Sequence, residues 1–206
     1  MMNVELEPDA VPMVRVVGAM ARRTLERWSG GGPIGRASGV VVLRSMNDPQ
    51  AVTMRIGDGV LRIERGVAGD AEVIIDADLG DSSAKPRVEG AARHPVLALA
   101  ASKLLDPPVA YWCDEADSFM RKALAHRDCP RPISIVCTDE GRSARWGGDG
   151  EPAIEIHGTA ELLAAAMSGS SNVAEEVLAG RLYVVGGLRD LSMLTRLTID
   201  HMFGEL

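Results

Sequence analysis

Four residues of this chain have side chains suited to zinc: Cys113, His126, Cys129 and Cys137. A tetrahedral site needs all four around one ion. The apolar stripe Ala116, Phe119, Met120, Ala123 and Leu124 predicts a helix beginning near Asp114, capped by it with Asp117 at the third position and ending near His126. That helix sets Cys113 and His126 ~20 Å apart at 1.5 Å per residue. His126 with Cys129 is half a site, so no metal is expected. Asp76, Asp78 and Asp81 begin like a calcium loop, but the downstream glycine and glutamate positions fail. Ser82-Ser83-Ala84-Lys85 satisfies the Ser-x-x-Lys pattern of acyl-transferring enzymes without their companion motifs. The cluster Ser29-Gly30-Gly31-Gly32-Pro33 lacks both a preceding strand and a following Lys-Ser/Thr, and reads as a loop. His157 and His201 could each act as a general base, yet neither has a nucleophile beside it in sequence. Catalysis has no address here, and no cofactor is expected.

The totals narrow the partners. At 206 residues the chain suits one large domain or two small ones. Its net charge of −7, without a basic run, excludes the clustered Lys and Arg that phosphate backbones require, so no nucleic acid is expected. Three cysteines are too few and too odd for a disulfide framework, and the acidic N-terminus is not a secretory signal. The most apolar run, Pro95–Leu105, falls far short of the ~20 residues that span a bilayer. The expectation is a cytoplasmic protein that does not span a membrane. Aromatics are only 3%, so the core must rest on aliphatics and ten Met, a flexible, space-filling side chain.

The elements follow from periodicity. Pro12 opens a helix reaching Trp28, with Met13, Val17, Met20, Ala21 and Leu25 on one face. Gly39–Arg44, Ala51–Ile56, Val60–Glu64 and Glu72–Asp76 read as an antiparallel meander, and Gly57-Asp58-Gly59 is a hairpin turn. Pro86–Gly90 is a short strand, and a helix follows from Ala91 to Leu105. Ile133–Cys137 is a strand, Asp139–Gly150 a polar hairpin region, and Ala153–His157 a further strand. Helices Ala160–Met167 and Asn172–Ala179 come next, the second with a capping box of Asn172 and Glu175. Leu182–Val185 then leads through Gly186-Gly187 into a helix to Phe203.

These pieces suggest an internal repeat. Val52–Asp76 parallels Ile133–His157 about 80 residues later, and Val88–Arg93 parallels Val185–Arg189. Each copy follows an amphipathic helix, and only the second carries the helix pair Ala160–Ala179. The division expected is 1–108 and 109–206, as one or two units sharing a sheet.

The run Gly158-Thr159-Ala160-Glu161-Leu162-Leu163, a Ser-Gly turn, Val173–Leu182, a strand, then Gly186-Gly187-Leu188-Arg189-Asp190-Leu191 is similar to the sterol carrier protein family. The resemblance is carried best by Gly158–Leu194, and Val40–Asp78 fits the family's meander. It implies an α+β fold, a mixed sheet covered by helices, with a tunnel for fatty-acyl or sterol-like ligands between the two layers. Leu162, Leu163, Met167, Val177 and Leu178 are expected to face the sheet. Leu191, Leu194 and Met202 are expected to line the cavity from the last helix. The expected function is non-catalytic binding of an apolar or amphipathic small molecule. The alternative is a structural module whose wide apolar last helix forms a homodimer or packs on a partner protein. A third reading, an enzyme or accessory domain, needs a metal or an activated thiol.

Overall fold

The structure, a computed structural model, describes residues 2–28, 31–78 and 84–206. Ser29, Gly30, Asp81, Ser82 and Ser83 lie outside the described residues, so the glycine cluster is seen only in part. The Ser-x-x-Lys segment and the third aspartate of the calcium-like run are likewise outside them. The chain divides into two compact units, Met1–Pro108 and Val109–Leu206, each with its own core.

The first unit runs β1 (Asn3–Leu6), α1 (Pro12–Glu26), a 3₁₀ turn at Ile34–Arg36, and β2 (Gly39–Ser45). It continues with β3 (Ala51–Gly57), β4 (Val60–Arg65), β5 (Val73–Ala77), β6 (Arg87–Glu89) and α2 (Pro95–Leu105). Alternation decides the packing. Val52, Met54 and Ile56 of β3 are buried, as are Val41 and Leu43 of β2 and Leu61 and Ile63 of β4. They join Val14, Val17 and Ala21 of α1 and Leu97, Ala101 and Leu104 of α2 in one cluster. The opposite face carries ion pairs, Arg44 to Asp76 at 2.7 Å and Arg55 to Asp70 at 2.9 Å.

The second unit runs α3 (Trp112–Ala123), β7 (Ile133–Cys137), β8 (Arg142–Trp146) and β9 (Ile154–Gly158). After β9 come α4 (Ala160–Ser168), α5 (Val173–Leu178), β10 (Tyr183–Gly186) and α6 (Leu188–Met202). The fold is α+β, with helices covering mixed sheets.

There are two sheets rather than a shared one, ordered β1-β4-β3-β2-β5-β6 and β10-β9-β7-β8. The meander is also not wholly antiparallel, because β5 pairs with β2 in parallel. The same pairing recurs where β9 lies parallel to β7. In each sheet a hairpin strand flanks this central pair on one side, and an antiparallel strand, β6 or β10, on the other. The repeat therefore aligns β2 with β7 and β3 with β8. The sequence register, which sets Val52 against Ile133, is one strand out for its first two strands because the second unit has no counterpart of β4. Its third strands, β5 and β9, do correspond.

Two boundaries differ from expectation for local reasons. Helix α3 begins at Trp112 with no side-chain cap, and Asp117 instead accepts the Trp146 indole N–H at 2.7 Å. Helix α2 begins only at Pro95, since residues 91–93 form a turn after Gly90. The hairpin expected after Cys137 is formed by β7 and β8, and β8 is an edge strand that can expose Arg142 and Arg145.

Candidate functional site

The helix-covered face of the second sheet is built on one ladder. Ile133 lies opposite Ile154, Ile135 opposite Ile156, and Cys137 opposite Gly158. The five side chains among them face the helices, and all six residues are buried. Gly158 leaves room for the Leu182 side chain. A Cβ there would meet Leu182 Cδ2 at 2.3 Å.

Helix α4 is fixed at its start by two side chains. Thr159 accepts the Leu162 N–H at 3.4 Å, and Asp139 Oδ1 accepts the Ala160 N–H at 2.9 Å. Asp139 also accepts from the Cys137 thiol at 3.0 Å. These donors, the thiol first, hold the Asp139 carboxyl below the usual carboxylate range. Gly169, left-handed at φ 74°, closes the helix. Leu163 and Met167, four residues apart, therefore face the sheet together.

Helix α5 is held more lightly. Asn172 Oδ1 accepts the Ala174 N–H at 2.9 Å, which supplies the cap, although at the second position rather than the third. Among its six residues the only buried apolar one is Val173. The buried Glu176 accepts from Arg181 Nε at 2.5 Å and ties the helix end to the next turn. Helix α6 contributes Leu194, Leu197, Thr198 and His201 to the interior. The His201 ring sits 5.5 Å from Phe119 of α3.

The predicted cavity residues divide into three groups. Leu163, Met167 and Leu194 are fully buried in one cluster with Ile135, Ile156, Trp112 and Phe119. Leu162, Val177 and Leu191 pack half-buried against that cluster, and Met202 is half-buried. Leu178 does not face the sheet; it is 87% exposed. With α5 so short, Leu178 is five residues past the buried Val173. It lies about 140° around the helix from it.

His157, on the helix-free face of β9, contacts Glu155 Oε1 through Nε2 at 2.7 Å and stands 5.7 Å from the Tyr183 ring. Burial, as the largest cause, pushes the thiols of Cys113, Cys129 and Cys137 up, away from the reactive thiolate. Glu140 accepts from the Tyr111 hydroxyl and, at 3.1 Å, from the Trp112 indole. Arg142 donates to the Tyr111 hydroxyl at 3.0 Å. Among the described residues no group of three or more His, Cys, Asp or Glu is arranged to hold a metal, and no helix is long and apolar enough to cross a membrane.

A cleft of about 480 Å³ lies in the first unit instead, lined by Glu5, Leu6, Glu7, Pro8, Arg62, Glu64 and Arg65. It is a charged groove, crossed by ion pairs from Arg62 to Glu5 at 3.1 Å and from Arg65 to Glu7 at 3.6 Å. It does not suit an acyl chain.

Sequence reasoning misses two features. Asp139 lies 21 residues from Ala160, the residue whose N–H it accepts, and no local pattern reveals that bond. The exposed apolar run Leu178, Tyr183, Val185 and Leu188 reads as interior because aliphatic residues at strand and helix spacing usually are.

No family model matches the chain, and no curated protein matches it. Among solved structures, one similar to it is the solution structure of a conserved hypothetical protein from Thermus thermophilus, with sterol carrier protein given as a possibility. That structure is 9% identical, with 98% of this chain and 94% of that chain covered, and its TM-score is 0.23. At this score the likeness carries no argument about fold or function.

Proposed function

We propose that the chain binds an apolar or amphipathic small molecule without catalysing a reaction on it, and that the second unit holds the ligand between its sheet and the layer of α4, α5 and α6. The observation that carries this reading is the construction of that layer. Its interior is apolar, from Ile135, Ile156, Leu163, Met167 and Leu194, while the covering helix α5 is anchored by one buried aliphatic residue. An element with so few buried contacts opens at low cost, and here its opening bares a largely apolar surface beside Thr198 and His201 of α6. A fatty-acyl chain entering there gains about 0.8 kcal/mol for each methylene buried. The first unit adds support: within its six-stranded sheet, β4-β3-β2-β5-β6 form a mixed array covered by helices, the kind of arrangement that the sterol carrier resemblance implies.

The test is uptake of a fluorescent fatty acid by the full chain, alongside native mass spectrometry of freshly purified protein. Saturable uptake is expected, with Met167→Trp reducing it by filling the space under α4. Protein that carries no lipid and takes up no probe would sink the reading.

A further inference from the structure

The two sheets end in four edge strands: β1, β6, β8 and β10. An open edge offers its backbone N–H and C=O groups to any other strand, and proteins blunt such edges with charge. Three of the four are blunted in this way. β1 carries Glu5, β6 carries Arg87 and Glu89, and β8 carries Arg142 and Arg145. β10, Tyr183-Val184-Val185-Gly186, carries no charge. Among the described residues no backbone hydrogen bond reaches its outer side. Its side chains on the helix-free face are Tyr183, 66% exposed, and Val185, 48% exposed. Along the chain it is flanked by Leu178 and Leu188, which are more than four-fifths exposed.

We propose that β10 is the two-fold strand of a homodimer, pairing antiparallel with β10 of a second copy about a dyad at Val184. The register follows from the residues. With Val184 opposite its own symmetry mate, Tyr183 of each copy lies opposite Val185 of the other, on the face that is exposed in the single chain. Both cross-strand pairs are then aromatic with β-branched, a stabilising combination, and the surface is self-complementary as a two-fold contact requires. The four-stranded sheet becomes a continuous eight-stranded one. A foreign peptide fits the edge less well, because strand addition draws its specificity from pockets for alternate side chains, and here the flanking side chains project outward. This interface differs from one made by the apolar stripe of α6, whose Leu194 and Leu197 are already buried.

Sedimentation velocity of the full chain across about 1–100 μM, the range in which a micromolar association is visible, tests the proposal. The wild type is expected to pass from one to two chain masses. Tyr183→Lys and Val185→Lys are each expected to raise the dissociation constant at least about tenfold by charging the edge. Both sites are solvent-exposed in the single chain, so both variants should keep the wild-type circular dichroism and, at concentrations where the wild type is monomeric, its unfolding midpoint. Val88→Lys, on the β6 edge, should leave the dimer unchanged. A wild type that stays monomeric, a dimer that survives both lysines, or equal dissociation by Val88→Lys would each overturn it.

Discussion

Asp139 shows how much one side chain can organise. It stands in the turn after β7 and receives the Cys137 thiol and the first N–H of α4, so strand and helix meet on one carboxylate. Its carboxyl is held below the usual range, as are Asp76 beside Arg44 and Asp70 beside Arg55. A carboxyl with a depressed folded pKa contributes stability that is fully present above its unfolded value, near 4, and lost as pH falls through the folded value. The thermal midpoint should therefore hold from pH 7 to about 5 and drop as pH is taken down towards 2. Asp139→Asn keeps an acceptor but loses the charge. It should lower the midpoint at pH 7 and flatten the acid limb, and an acid limb identical to wild type would show that Asp139 has no part in it. For the interior, Leu163→Ala should cost about 2–5 kcal/mol in denaturant unfolding, the usual range for deleting a buried leucine side chain. A cost below about 1 kcal/mol would mean that the space beneath α4 is already loose.

At the level of elements, two glycines and one short helix set the constraints. Gly158 admits Leu182 against the β7–β9 ladder, and Gly90 turns the chain after β6. Gly90 has φ +81°, and a Cβ on it would meet the Glu72 carbonyl oxygen at 2.1 Å. Gly90→Ala should combine a left-handed penalty of about 1–2 kcal/mol with a clash that only backbone movement relieves. The expected result is loss of the β5–β6 pairing, seen as faster amide exchange at Ile74 and Asp76. Unchanged exchange there would contradict this. Helix α5 makes the opposite prediction. With Val173 as its one buried aliphatic and Arg181–Glu176 as its latch, its amides should exchange before those of β7 and β9. Arg181→Ala should speed that exchange and quicken fatty-acid uptake while leaving β7 protected. If α5 exchanges no faster than β9, it is not the element that opens.

Most of these elements are legible in the sequence, for a physical reason. Buried strands such as Ile133–Cys137 must be regular in side-chain type, whereas edge strands need not be. Arg142–Trp146 pairs through its backbone with two arginines in solvent, and Asn3–Leu6 is a short acidic strand added in parallel to β4. Each alternates, Val4 and Leu6 packing on the first core and Ala144 and Trp146 on the second, but over too few residues to stand out as a strand. In the candidate site, Leu163, Met167 and Leu194 are legible because helical spacing fixes which face each residue joins. Leu178 is not, since its orientation depends on where a six-residue helix stops.

The whole molecule poses a question of independence. Its two cores share no residue: one closes α1 and α2 over a six-stranded sheet, and the other closes α3, α4 and α6 over a four-stranded one. Each unit has about a hundred residues, enough for a self-sufficient core. The common order of hairpin strand, parallel central pair and returning strand means that each sheet is complete without the other. Fragments 1–108 and 109–206, expressed separately, should each unfold cooperatively, with helical and sheet signals that sum to the spectrum of the full chain. Fatty-acid uptake should follow 109–206, the fragment that contains α4 and α5, and 1–108 should take up none. A 109–206 fragment that folds yet binds nothing, while 1–108 binds, would transfer the binding reading to the first unit. If neither fragment folds alone, each core needs the other's surface, and the division at Pro108 marks a change in contacts rather than a folding boundary.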